Sequence, residues 1–405
     1  MYGPPSRLPQ ELMEEIVDHA LSVGVDSRIL ALVCHSWLTK ARRALFWQVL
    51  LVGSLEKARS FMSLLATSSS ISQSIRRLHI GQFGSAVEET QVPMTTEIFL
   101  PLLSTILQEL TRLRTLRIYN VRFVNTPSGN HDSDPQPLIH IEALEFYGPT
   151  NTNWTQIASC CNSVQTLFLF NFSHAAETRQ NEMDPPRHTK LIVKRLRLHS
   201  TFATMKLRRL LEDTLGTVDM TSVQHLDIGR GTSIPGLYSA IIESVAPTIK
   251  TILVHLDESL LLAEVDSPTA FVPLDLFQCT QLESIILKAD IDRDIHEDDL
   301  DLEPSLWRSL DILATLPPSI RNVTIRLSHS SPDLVELVEH QWRRIASFFQ
   351  RLPALKTVTV DIVWMVSGER LSAERQEEMQ KSLKRSLDMP PSCEMVFQAH
   401  DHEIP

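Results

Sequence analysis

The sequence predicts an α/β fold in which a short N-terminal three-helix module leads into an irregular solenoid of parallel strands plus helices. Three observations carry that prediction. One hexamer pattern, apolar-x-x-apolar-x-apolar, recurs ten times between residues 75 and 360. Segments with helical period lie between the copies. The first 50 residues hold three short stretches whose apolar residues recur at helical spacing.

Composition sets the outer bounds. Of 405 residues 43% are hydrophobic and 21% charged, which excludes wholesale disorder. The net charge of −11 argues against general nucleic-acid or anionic-membrane binding. Only 12 glycines are present, a poor match to a glycine-rich nucleotide-binding enzyme. Cys34, Cys160, Cys161, Cys279 and Cys393 are odd in number and form no CxxC, as expected in a reducing compartment. The opening MYGPPSRLPQELMEE has prolines and acids where a secretory signal needs an apolar core. No run approaches the ~18 apolar residues of a transmembrane helix. The expectation is a soluble chain of the cytoplasm and/or nucleus, with the sequons at Asn153, Asn171 and Asn322 as chance matches.

Residues 8–50 supply the three helices. Pro9 suits a first turn, where a missing N–H costs nothing. Leu12, Ile16 and Val17 form one apolar stripe, with Glu11, Glu14, Glu15 and Asp18 on the wet side. Gly24 ends this helix, and Asp26 or Ser27 can cap the next. Ile29, Leu30, Leu32 and Val33 are the expected buried face of the second helix. Ser36 is the expected cap of a third, which carries Trp37, Ala41, Ala44 and Leu45. So few residues bury little core alone.

The order Leu8-Pro9-x-x-Leu12, Ile16, Val33-Cys34-x-x-Trp37, Leu45-Phe46-Trp47 resembles the F-box. It matches the LPxEL opening, the VC-x-x-W centre and the L-[FW]-W close, over roughly a tenth of the chain. The bridge Ser22-Val23-Gly24-Val25 departs from the family in lacking a leucine-rich middle. The resemblance implies docking onto the Skp-type adaptor of a cullin–RING ubiquitin ligase. The residues it carries to that interface are Leu8, Pro9, Leu12, Ile16, Leu32, Val33 and Trp37.

After the helical segment LEKARSFMSLLAT and a Ser-rich turn, the hexamers begin. They read IRRLHI (75–80), LRTLRI (113–118), IEALEF (141–146), VQTLFL (164–169), VKRLRL (193–198), VQHLDI (223–228), IKTILV (249–254), LESIIL (282–287), IRNVTI (320–325) and LKTVTV (355–360). Helical segments are expected at 97–110, 204–215, 237–246, 305–316 and 334–352. Strand, loop and helix in repetition resemble the degenerate leucine-rich repeats that often follow an F-box. The copies start 23 to 38 residues apart and lack the Asn or Cys usual three residues past the last apolar position. A doubly wound sheet is the alternative, which ten copies of one hexamer disfavour. The expected layout is 1–50 for the F-box-like module, 51–74 for a linking helix and Ser-rich turn, and 75–366 for about ten repeats. Residues 367–405 would form a C-terminal helix and capping segment. Two polar insertions, 125–137 and 173–190, read as loops.

Sites of chemistry are sparse. G-x-S-x-G, HExxH and the Walker-type run are absent. Gly229-Arg230-Gly231 reads as a tight turn, because a dinucleotide fingerprint needs glycine where Ile234 stands. The run 290–303 alternates Asp290, Asp292 and Asp294 like a calcium loop, but Ile295 replaces the turning glycine and Asp301 the bidentate Glu. No catalytic residue, metal or cofactor is expected, and no His/Cys/Asp group shows metal-ligand spacing along the chain.

Strand alternation turns the residues between the hexamer's apolar positions outward. Those expected to be exposed and to meet a protein substrate are Arg117, Tyr119, Tyr147, Phe168, Phe170, Arg195, Arg197 and His199, with Glu145, His225 and Asp227 beside them. Residues 187–209 hold eight Lys and Arg and no acid, which suits an acidic or phosphorylated segment. The resulting expectation is a non-catalytic substrate adaptor of an SCF-type ligase, linked to Skp-type adaptor and cullin, without nucleic-acid or membrane partners. The alternative is an F-box scaffold with no role in degradation.

Overall fold

A computed structural model of the chain describes residues 9–23, 25–33, 35–81, 96–119, 121–124, 139–147, 154–158, 160–170, 190–199, 204–229, 238–256, 274–290, 310–329, 339–364, 372–387, 389–390 and 392–401. Two compact units make up the chain: Met1–Val164 with His174–Pro186, and Gln165–Ser173 with Arg187–Pro405.

The first unit opens with α1 (Gln10–Ser22), α2 (Ser27–Val33) and α3 (His35–Leu45). Pro9 is the N-cap of α1, and the Asp26 carboxylate accepts from the Arg28 N–H to cap α2. Ser36 lies inside α3, so it is not the expected cap; the helix already begins at His35. The core of this module is small. Val17, Leu30 and Ala41 are buried, and Ala20, Leu21, Ala31 and Trp37 pack against them. Lys40 ties α3 to α1 by donating to the Asp18 carboxylate at 2.6 Å and to the Glu14 carbonyl at 2.8 Å.

Then come β1 (Gln48–Leu51), α4 (Leu55–Thr67), α5 (Ser69–Ser72), β2 (Arg77–Gly81), β3 (Thr96–Phe99), α6 (Leu100–Glu109), β4 (Thr115–Tyr119), β5 (Val121–Val124), β6 (Ile139–Tyr147) and α7 (Trp154–Ala158). β1, β2, β4 and β6 are parallel neighbours in that order, while β3 and β5 form a separate parallel pair. The ladder therefore starts one strand earlier than the ten hexamers, at residues 46–51, which carry the same pattern: Val49 pairs with Leu78 and Leu51 with Ile80, and the Trp47 carbonyl accepts from the Arg76 and Arg77 N–H groups. Residues 97–99, expected as helix, belong to β3, and α6 starts only at Leu100.

β7 (Cys161–Phe170) carries the chain into the second unit. There follow β8 (Leu191–His199), α8 (Thr204–Thr217), β9 (Val218–Asp219), β10 (His225–Ile228), α9 (Ser239–Val245), β11 (Thr251–Leu256), β12 (Ser284–Asp290), β13 (Asn322–His329), α10 (Glu339–Phe349), β14 (Thr357–Trp364), α11 (Ala373–Ser386) and β15 (Glu394–Asp401). Met220–Ser222 and Leu310–Thr315 are 3₁₀ turns; the latter is the described part of the segment expected as a helix. β8 and β10 to β15 pair in parallel and in strict sequence order. A doubly wound sheet would reverse its strand order at a switch point, and among the described strands of this unit none occurs.

The reason for the strict order lies in the hexamer. Its three apolar positions are buried in all ten copies, none more than 5% exposed. Register keeps equivalent positions side by side: Leu78 with Leu116 and Leu144 in the first unit, then Leu196 with Leu226, Ile252, Ile285, Val323 and Val358 in the second. Six pairs of neighbouring hexamers also enter the ladder alike. The carbonyl of a hexamer's second residue accepts N–H groups from the second and third residues of the next, as Lys250 does from Glu283 and Ser284. Hydroxyls just ahead of three hexamers add to this: Ser222, Thr248 and Ser319 donate to the carbonyls of Val193, Val223 and Leu282. The helices contribute the other half of the core through Trp154, Ile241, Trp342, Phe349 and Leu383, all buried. Among the described residues no helix is long and apolar enough to cross a membrane. The two polar insertions and most of the acidic run 290–303 lie outside the described residues.

Candidate interaction surfaces

Two surfaces gather the side chains singled out in the sequence. The first is on the three-helix module. Leu12, Ile16, Ile29, Leu32 and Val33 are 46%, 43%, 59%, 86% and 55% exposed. This corrects the expectation for α2: of its four apolar residues only Leu30 is buried, and the other three face solvent. Seven residues of α2 make two turns, and the core beside them has room for one leucine. Trp37 goes the other way and packs on the core. Pro9 is exposed, and Leu8 lies outside the described residues. Exposed apolar side chains concentrated on so small a module are unusual for a face in permanent contact with water.

The second surface is the strand face opposite the hexamer's apolar positions. In the first unit one row runs His79, Arg117, Glu145 and the next runs Gly81, Tyr119, Tyr147, each set in register across β2, β4 and β6. Arg117 Nε lies 2.8 Å from Glu145 Oε2, and the Tyr147 hydroxyl donates to the same oxygen at 2.6 Å. Tyr119 and Tyr147 stack at 4.8 Å. Burial opposes the charge on Arg117, but Glu145 outweighs it and holds the guanidinium above its ordinary value. Burial, with Glu145 as hydrogen-bond partner, pushes the Tyr147 phenol far up, so it stays a donor. His79 is pushed down by burial and by Arg117, and its Nε2 has no hydrogen-bond partner among the described residues. A Cβ on Gly81 would stand 1.8 Å from the Tyr119 carbonyl oxygen; its φ of +90° also demands glycine.

In the second unit Arg197 and Asp227 are direct neighbours on β8 and β10. Arg197 Nε reaches Asp227 Oδ2 at 2.8 Å, while Nε2 of His199 and of His255 lie 2.9 and 3.4 Å from Oδ1. Burial would raise the Asp227 carboxyl, yet its bonds to His199, His255 and Arg197 hold it well below the carboxylate range. Arg197 sits 4.6 Å over the Phe168 ring, and His199 meets Phe168 edge-on at 5.1 Å. Further along, Arg326 donates to Asp361 at 2.6 Å.

The aromatics are therefore less open than expected. Tyr119 and Phe168 are buried at 9% and 8% exposure, and Tyr147 and Phe170 are half-buried: the two tyrosines stack across adjacent strands, and the two phenylalanines meet at a tilt two residues apart on β7. Arg195 and Arg197 remain exposed and His199 is half-buried. Sequence reasoning missed His79, His255 and Asp361. The signal was available: His199, Gly229 and His255 each directly follow a hexamer, so aligning the hexamers places them in one row, two residues past Asp227's. Ligand spacing along the chain cannot reveal a group assembled across repeats.

Fold and surfaces together define a parallel α/β array with two candidate interaction faces. No protein-family model matches this chain, and no curated protein matches it either.

Proposed function

We propose that this chain is a substrate-recognition adaptor of an SCF-type cullin–RING ubiquitin ligase, a non-catalytic subunit of the cytoplasm and/or nucleus. The α1–α3 module is the F-box and docks on the Skp-type adaptor; the strand array is a leucine-rich-repeat-like solenoid whose outward face holds a protein substrate. Ubiquitin transfer would then be accelerated by proximity.

One observation carries the reading. Leu12, Ile16, Leu32 and Val33, four of the residues the resemblance carries to the adaptor interface, are solvent-exposed on a module that closes its core without them. An apolar residue that is 86% exposed contributes nothing to folding and is well placed to anchor a partner. The outward rows support the second half: Arg195 and Arg197 offer exposed cations beside half-buried aromatic and histidine rings, a composition suited to an acidic or phosphorylated segment.

The test is co-expression with the Skp-type adaptor of the source organism, comparing wild type with Leu32→Glu. Wild type should elute as a stoichiometric complex. The variant should fold normally, by circular dichroism and melting, yet lose about 2 kcal/mol or more of binding, roughly 30-fold. Folded wild type that fails to bind would overturn the reading.

A further inference from the structure

We propose that His199, Asp227 and His255 form a binding site for one divalent transition-metal ion, with Zn(II) as the best match to a two-nitrogen, one-oxygen donor set. This rests on the geometry of the second unit alone and stands whether or not the ligase reading holds.

The three side chains come from adjacent parallel strands β8, β10 and β11, whose register is fixed by the hexamer. Their donor atoms all lie within 4.8 Å of one another, with both Nε2 atoms directed at a single carboxylate oxygen, at 2.9 and 3.4 Å. Zinc bonds of about 2.0–2.2 Å in a tetrahedron set donor atoms roughly 3.4 Å apart. The His255–Asp227 pair already has that spacing; an ion would enter as the His199–Asp227 pair opens by about 0.5 Å and the two imidazole nitrogens, within 4.8 Å of each other, close on it, leaving the remaining position for water or a partner's side chain.

The rings are held in place before any ion arrives. His199 abuts His255 at 4.7 Å and Phe168 at 5.1 Å. Its ring lies so close to Gly229 that a Cβ there would come within 2.4 Å of His199 Cγ. Each ligand side chain is only 13–14% exposed. Arg197 takes the other carboxylate oxygen, Oδ2, at 2.8 Å and so leaves Oδ1 for the ion, as outer partners of metal-bound carboxylates do. Without an ion, both imidazole Nε2–H groups can donate to Oδ1. With one, the ring protons move to Nδ1 and the Nε2 lone pairs turn to the metal.

The experiment uses the full chain, stripped with chelator, then titrated with Zn(II) by calorimetry and with Co(II) by visible absorption. The 15 histidines make weak background binding certain, so the reading is a difference between proteins. Wild type should bind one equivalent more tightly than the variants His255→Gln and Asp227→Asn, each weakened at least tenfold. Its Co(II) complex should show d–d bands that the variants lack. Two variants guard against a folding failure in one, since circular dichroism shows which remains folded. Folded variants whose stoichiometry and Co(II) spectrum equal those of wild type would overturn the site, as would wild type that binds neither metal above background.

Discussion

At position 229 a single hydrogen atom decides the shape of the outward face. The His199 ring occupies the space a Cβ would take, at 2.4 Å, and the Gly229 N–H donates to the Leu198 carbonyl at 2.6 Å. Because the nearest atoms are the His199 Cα and a ring wedged edge-on against Phe168 and His255, there is little give, and Gly229→Ala should cost about 1–3 kcal/mol in chemical denaturation. It should also displace the His199 ring signals in NMR. His79 gives a second expectation. It is buried, its neighbours are Arg77, Arg117, Tyr119 and Glu145, and burial with Arg117 lowers its affinity for a proton. The unfolded chain then takes up a proton below about pH 6.5 more readily than the folded one. That contribution to stability is present above about pH 6.5 and is lost as the pH falls through the window below it. Urea midpoints between about pH 5 and 7 should show a steeper acid-side decline for wild type than for His79→Gln.

At the scale of the element, the hexamer separates structure from function by alternation. Leu226 is 1% exposed on β10, flanked in register by Leu196 and Ile252. Leu226→Ala should cost about 2–5 kcal/mol, the range for a buried leucine whose surroundings cannot collapse. Thr251, on the outward row of β11 and half-buried, should tolerate alanine within about 0.5 kcal/mol, measured in the same denaturation series. α2 shows the limit of the same logic. Its apolar residues follow a helical period, but period alone says which positions share a face, not whether anything covers that face. The three-helix module is too small to cover it, and so Ile29, Leu32 and Val33 remain outside.

For the molecule as a whole, sequential parallel pairing makes each strand depend mainly on its two neighbours. Within the second unit, Val358→Ala in β14 should therefore lower hydrogen-exchange protection most in β13, β14 and β15 and least in β8 and β10. Uniform loss across all of these strands would instead show one cooperative block. The net charge of −11 sits beside a strand face that carries Arg195, Arg197 and Arg326, so association through that face should weaken with salt if its partner is acidic.

Ten hexamers and their two-residue alternation already determined the strands, their buried side and the residues that face outward, because side-chain direction in a strand follows from the pleat alone. The F-box-like order of Leu12, Ile16, Val33 and Trp37 was likewise legible as a motif. Only the tertiary structure decided that Trp37 turns inward while Leu12, Ile16, Leu32 and Val33 stay out, since that depends on how much core three short helices can share. The same holds for β3 and β5, which lie outside the hexamers and pair with each other. Most of all it holds for His199, Asp227 and His255, separated along the chain by about 28 residues at each step. They meet because parallel register, set by the buried hexamers beneath, lays one repeat's outward row against the next.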